Sequence, residues 1–414
     1  MLASSAFAQV AKAPGFKVGE GRLHPFFEVD TRFDSLVGYF NIVNGQPIPS
    51  SDFIFHFRPG LRFDLDNPST LVSFNGAGEG LWYPGLLTAQ SRGLSRIQAN
   101  VALDAKFNRD GAVEVAIGDN LVRSDRTQNA AIGVGAISLF NNVYLAVPIH
   151  PGGRALEVTP KVAWSVEFFE ALLPGLPPNC TGNAVCNTAL LSQANYSNLN
   201  FGLNGRWKFL PKTALIVDVN ADWRTYFSNA SASKVLFRSQ LGLAGLISPR
   251  IAVTLLAGYG GDFTNGSIHT VIGTAEFSYT VTEQSRIAIG YARNILPVPR
   301  SGTLLDGAFI DDRGYLRGGL AFLGGRLQLN GQVSADYFTF LGAPTNAMAP
   351  TPNPVRNDFL LSINAGPTVV ITSWFDVSAS YTFTFRTSTS TETSNLPSLN
   401  FPRHEALLRL SFHY

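Results

Sequence analysis

The sequence predicts an all-β protein, a transmembrane up-and-down antiparallel β-barrel of about 18 strands with short periplasmic turns and long extracellular loops. Three observations lead there. Charged residues make up only 14% of the 414-residue chain, against about 25% in soluble domains, yet no run of about 18 apolar residues offers a transmembrane helix. Apolar and polar residues alternate with period two, so most segments have one apolar and one polar face. Short turns and long polar linkers also alternate strictly, the asymmetry that an outer-membrane barrel shows between its two ends.

The elements follow in chain order. Leu23 to Phe33 is the first strand. Phe53 to Leu65 turns at Asp66-Asn67-Pro68 into Leu71 to Trp82. Val101 to Phe107 turns at Arg109-Asp110-Gly111 into Val113 to Leu121. A split at Asn141-Asn142 would make the strand count odd, whereas single-chain bacterial barrels have even numbers. Ala131 to Ile149 is therefore read as one loop plus one strand, and His150-Pro151-Gly152-Gly153 as a periplasmic turn before Arg154 to Phe169. The clearest hairpin is "NLNFGLNGRWKFLPKTALIVDVNADWRTYF". Leu199, Phe201, Leu203, Trp207 and Phe209 share one face there, and Leu215, Val217, Val219, Ala221 and Trp223 answer them after the turn. Val235 to Ile247 pairs with Ile251 to Gly260, and His269 to Val281 with Arg286 to Asn294. Tyr315 to Leu323 pairs with Leu327 to Phe340, and Phe359 to Ile371 with Val377 to Arg386. The last strand is "ALLRLSFHY". The linkers between hairpins are long and polar, for example "GYFNIVNGQPIPSS" and "TSTSTETSNLPSLNFP".

A soluble propeller would mix buried and exposed strands and repeat its motifs. Here nearly every strand has a continuous apolar face, with Trp164, Phe168, Trp207, Trp223, Phe227, Tyr259, Tyr291 and Tyr337 near strand ends, where aromatic girdles belong. Pro59, Pro160 and Pro367 fall inside strands. Proline lacks a ladder donor, so a bulge or strand end is expected at each. At the N-terminus, Ala6-Phe7-Ala8 before Gln9 is an A-x-A cleavage pattern without its basic n-region. Residues 1–19 are read as a signal-peptide remnant and tail, and 20–414 as the barrel. Cys180 and Cys186 form a candidate disulfide, suited to an exported protein; so small a ring stabilises its loop by roughly 2 kcal/mol.

The polar faces supply the candidate pore lining: Asp104, Lys106, Glu114, Glu157, Lys161, Arg206, Lys208, Asp218, Asp222, Arg224, Arg238, Glu276, Arg286, Arg317, Asp336, Arg386 and Arg409. Both signs are well mixed, which suits polar or neutral solutes; the same charges can also pair across strands and stiffen the wall. Inward aromatics such as Tyr226 and Tyr315 are too few for a sugar slide. The net charge of +2 gives no basic footprint for nucleic acid. The six histidines are scattered, and no H-E-x-x-H, P-loop or G-x-S-x-G pattern occurs. No enzyme, cofactor or metal site is expected, and nothing resembles a plug domain.

The ending, with Phe412 and Tyr414 on one face, resembles the C-terminal signal that the barrel-assembly machinery reads in bacterial outer-membrane proteins, with Tyr where Phe is commonest. The turns "LPKTA" and "SPRIA", the hairpin "HPGGRALEVTPKVAWSVE" and the long polar loops resemble the type 2 β-barrel porin group. Some barrels of that kind pair with periplasmic polysaccharide-export proteins. The resemblance implies a conduit for secreted polysaccharide or other polar saccharides, with outer-membrane lipid, the assembly machinery and such an export protein as partners. The alternatives are a general diffusion porin and a surface-binding barrel that works through its loops.

Overall fold

The computed structural model describes residues 15–43, 46–125, 136–171, 192–228, 233–264, 268–298, 307–342, 354–389 and 400–414. The strands are β1 (Phe16–Val18), β2 (Gly21–Val43), β3 (Gln46–Asp66), β4 (Thr70–Trp82), β5 (Arg96–Phe107), β6 (Val115–Ser124), β7 (Ala136–Ala146), β8 (Leu156–Ala171), β9 (Tyr196–Leu210) and β10 (Thr213–Tyr226). They continue as β11 (Lys234–Ser248), β12 (Ile251–Asp262), β13 (Ile268–Thr282), β14 (Ser285–Val298), β15 (Gly307–Phe322), β16 (Leu327–Gly342), β17 (Pro354–Thr372), β18 (Phe375–Ser388) and β19 (Phe401–His413).

Strands β2 to β19 pair in sequence, each antiparallel to the next. β19 then pairs back onto β2, from Glu405 opposite Asp34 to His413 opposite Phe26. The result is a closed 18-stranded barrel. β1 is a short arm that pairs with the start of β2, so Phe16–Val18 is a strand inside the stretch expected to be tail. Residues 1–14, the cleavage pattern among them, lie outside the described residues, as do Cys180 and Cys186.

The alternation places apolar side chains on the lipid face. Leu241, Leu255 and Ile289 are 54%, 52% and 56% exposed; in water such a surface would aggregate, and in a bilayer it is solvated by acyl chains. Aromatic pairs mark both ends of the wall. Phe168 stacks on Phe227 near the loop end, with ring centroids 5.5 Å apart. Phe375 stacks on Phe412 at 5.0 Å near the turn end.

Four of the periplasmic turns have only two residues, and each carries a register shift one step inside the hairpin. A bulge there adds right-handed twist where the strands must coil into a barrel. Close approach also requires glycine. A Cβ on Gly242 would lie 1.8 Å from the Leu255 carbonyl oxygen, and one on Gly258 1.8 Å from that of Ser239.

The prolines depart from expectation. Beside Pro59 the β3–β4 ladder loses the pairs between Phe57–Gly80 and Gly60–Ala77 without any change of register, while the β2–β3 ladder runs through Pro59 unbroken. Pro367 repeats this between β17 and β18. Only Pro160 meets a strand end, where the β7–β8 ladder stops at Ala146–Lys161. Each missing amide falls on the side where the ladder opens, so the barrel tolerates it with a local gap and needs no bulge.

The stretch "GYFNIVNGQPIPSS", expected as a loop, instead continues the β2–β3 hairpin, with register shifts between Asp34, Gly38 and Asn41. Above the bilayer the outer face need not be apolar, so the period-two pattern lapses while the ladder continues. The same rim also departs from a simple cylinder on β11 to β15. β14 reaches across β12 and β13 to touch β11. Strands three places apart meet only if the hairpin end bends over the mouth, given the 4.7–4.9 Å strand spacing. Leu236, Ile268, Ile272, Ile295, Ala308, Ile310 and Leu341 form the apolar cluster there.

Candidate functional site: the charged inner wall

The phase opposite the lipid face carries the charges. On β2, Glu28, Asp30, Arg32 and Asp34 succeed one another at two-residue spacing and point to the same side. Across the closing seam, Arg403 grips Asp34 with two hydrogen bonds of 2.6 and 3.0 Å, and Arg409 reaches both Asp30, at 3.0 Å, and Glu28, at 3.4 Å. Arg32 lies 3.9 Å from both Asp125 and Glu405, and Arg96 also pairs with Asp125. On β17 and β18, Arg356 and Arg386 converge on Asp358, which is fully buried. Buried charges survive only when paired and hydrogen-bonded; Asp34 and Asp358 meet that condition through Arg403, Arg356 and Arg386, while Asp30 Oδ1 and Arg32 Nε have no hydrogen-bond partner.

Many of the expected lining residues are brought together. Arg238 pairs with Asp222 at 2.5 Å, and Asn200 donates to the same carboxylate at 2.9 Å. Glu276 accepts hydrogen bonds from Arg317 and from Tyr315, both at 2.6 Å, with Arg286 3.9 Å away. Asp336 pairs with Arg313. Asp218 accepts from Asn204 at 3.1 Å. Tyr144 donates to Asp104 at 2.6 Å, and the Lys161 ammonium sits over the Tyr144 ring. Arg224 lies over the Tyr196 ring, its guanidinium carbon 3.8 Å from the centroid. His150 stands between Glu114 and Glu157, at 3.8 and 3.5 Å. Lys106 and Glu114 line a polar cleft at the turn end with Arg109, Asp110 and Arg154. Arg206 and Lys208 join no ion pair among the described residues.

Sequence reasoning missed the densest part of the wall. Asp30, His56, Glu79, Asp34, Arg403 and Asp358 were not among the expected lining residues, although the two-residue spacing of "FEVDTRFD" carried the signal. Three of them form a cluster. Asp30 on β2 lies directly opposite His56 on β3, and His56 Nδ1 is hydrogen-bonded to Glu79 on β4. Nδ1 is 3.7 Å from Asp30 Oδ1. Asp30 and His56 are 2% and 4% exposed.

A second missed feature is a docked loop. Residues 83–95 contain a short 3-10 turn, Ala89–Leu94, and pack Tyr83 and Leu94 against Val37, Ile54 and Leu81. The Asp52 carboxylate holds the loop down. It accepts hydrogen bonds from the amides of Leu86 and Leu87, both at 3.1 Å, and from the Ser91 hydroxyl. Burial pushes the neighbouring Tyr83 phenol above its ordinary range.

No protein-family model and no curated protein matches the chain. Solved structures do. The apoprotein form of the FrpB iron transporter from Neisseria meningitidis (F5-1 variant) is similar over 92% of this chain and 66% of that one, with a TM-score of 0.52 at 9% identity. A second F5-1 structure gives 0.50 at 9% identity over 91% and 65%. The siderophore receptor PirA from Pseudomonas aeruginosa gives 0.45 at 9% identity, covering 95% of this chain and 80% of that one. The chain thus spans about two thirds of the length of the FrpB structures it matches.

These findings correct the expected family, solute and partner. No family model supports the type 2 porin resemblance, and the structures that share the fold at a TM-score of 0.50 or more are of the FrpB iron transporter. They overturn the polysaccharide conduit, its saccharide substrate and the periplasmic export partner. Nor do they favour the general diffusion porin or the surface-binding barrel. The physical reason lies in the motifs: "LPKTA" and "SPRIA" close two-residue hairpins, so they mark a turn and not a family. The fold and its lipid-facing wall make this chain an integral protein of the outer membrane.

Proposed function

We propose that the barrel carries a small iron-bearing solute across the outer membrane. The observation that supports this reading is the closed 18-stranded wall with a charged inner face, built on a fold shared with the FrpB iron transporter. Barrels of about 16–18 strands are wide enough for an aqueous passage. The lining then consists of the residues of mixed charge named above. Asp222 with Arg238, and Glu276 with Arg317, stiffen the wall. Arg206 and Lys208, near the turn end of β9, are among the cations left to meet an anionic metal chelate. Phe412 and Tyr414 serve as the assembly signal on the last strand.

The test is uptake of radioactive ferric chelates by cells with and without the protein. Loss of uptake on deletion, restored by the intact gene, is the expected result. A further loss with Arg206→Glu/Lys208→Glu, at unchanged barrel abundance, would tie it to the lining. Equal uptake in deleted and intact cells across ferric citrate and siderophore chelates would overturn the reading.

A further inference from the structure

We propose that Asp30, His56 and Glu79 form a binding site for one first-row divalent metal ion in the barrel wall, a resident ion independent of the solute that passes. The donor set is one imidazole nitrogen and two carboxylate oxygens, from three adjacent strands, and the three donor atoms lie within 4.8 Å of one another. Zinc-like ions take such ligands at about 2.0–2.2 Å. Tetrahedral geometry then puts donors about 3.4 Å apart. The 3.7 Å between His56 Nδ1 and Asp30 Oδ1 is close to that spacing.

A further observation points to a ligand. Asp30 is 2% exposed, yet its Oδ1 has no hydrogen-bond partner and faces the imidazole. Its other oxygen is held by Arg409. A buried carboxylate oxygen left unpaired is costly unless something fills the place.

The backbone supplies the freedom that coordination needs. Glu79 now hydrogen-bonds His56 and must step back slightly to admit an ion. The β3–β4 ladder is open at this point, because the pairs that would include Arg58, Pro59, Gly78 and Glu79 are missing beside Pro59. Proline thus leaves Glu79 on a strand segment that can shift. The Glu79 side chain is 22% exposed, so it also provides the entry path and room for a water ligand.

The experiment uses the full-length refolded barrel, stripped with chelator and titrated with Zn²⁺ against a fluorescent zinc indicator. One ion per barrel is expected, with His56→Gln and Glu79→Gln each weakening binding by roughly 100-fold or more, since even outer-shell partners are worth 10–100-fold. His150→Gln, in a separate histidine–carboxylate group with Glu114 and Glu157, should leave it unchanged. Asp30→Asn serves where a variant fails to reach the heat-modifiable folded band on a gel. Absence of stoichiometric binding by the unaltered barrel, or binding indifferent to all three substitutions, would overturn the proposal and leave His56 as a hydrogen-bond partner of Glu79 alone.

Discussion

Replacing Asp52 with alanine should release the loop of residues 83–95 from the wall. Three of its groups end on that carboxylate: the Leu86 and Leu87 amides and the Ser91 hydroxyl. Hydrogen bonds to a charged acceptor contribute about 1.5–3 kcal/mol each, so the gross loss is roughly 4–9 kcal/mol. Removing a fully buried carboxylate returns several kcal/mol of desolvation. A net loss of about 3 kcal/mol in loop docking is therefore a conservative figure, equivalent to a rise of about 100-fold in the undocked population. Trypsin reads this directly, because Arg92 lies in the loop and its side chain donates to the Pro84 carbonyl only while the loop is folded. Cleavage after Arg92 in intact outer membranes should accelerate by about the same factor when opening is fast relative to cutting. Barrel heat-modifiability should persist, since the ladder is untouched. A cleavage rate within a few-fold of the unaltered protein would refute the latch, as would loss of the folded barrel itself.

Other perturbations test the wall. Gly258→Val should sharply reduce the folded fraction on refolding, because its Cβ would collide with the Ser239 carbonyl; heat-modifiable gel mobility reports this. Leu241→Arg, on the lipid face, should destabilise the barrel by about 2–4 kcal/mol in urea unfolding from vesicles. Arg403→Met should cost about 3–5 kcal/mol by stranding buried Asp34, and Asp34→Asn in the same chain should recover much of it in a double-mutant cycle.

What was legible in the sequence was whatever period two encodes locally. The hairpins, the single turn at His150–Gly153 and the even strand count were readable because each face of a strand meets one solvent, and the pattern repeats within a few residues. The extended β2–β3 hairpin was not, because its alternation lapses above the bilayer. The bend of β14 over the mouth and the docked loop depend on contacts between segments far apart in sequence. The Asp30–His56–Glu79 group lies between these cases. The phase of Asp30 and His56 was readable, but their meeting depends on how three strands are staggered, which no single strand reveals.

The seam between β19 and β2 has a consequence for assembly. Every other neighbouring pair is joined by a turn or loop, so its partner arrives at high local concentration. The seam must join segments separated by most of the chain, and until it does the sheet has two raw edges able to recruit other strands. Buried charge also fastens the seam, through Arg403 on Asp34 and Arg409 on Asp30. Just below, Phe16 from the β1 arm packs on Tyr414 with ring centroids 4.5 Å apart, and the Tyr414 amide donates to the Pro25 carbonyl at 3.0 Å. These contacts act as a clasp on the slowest-forming joint. Weakening them should show first as misassembled or oligomeric protein during insertion, while barrels that have already closed keep their lifetime.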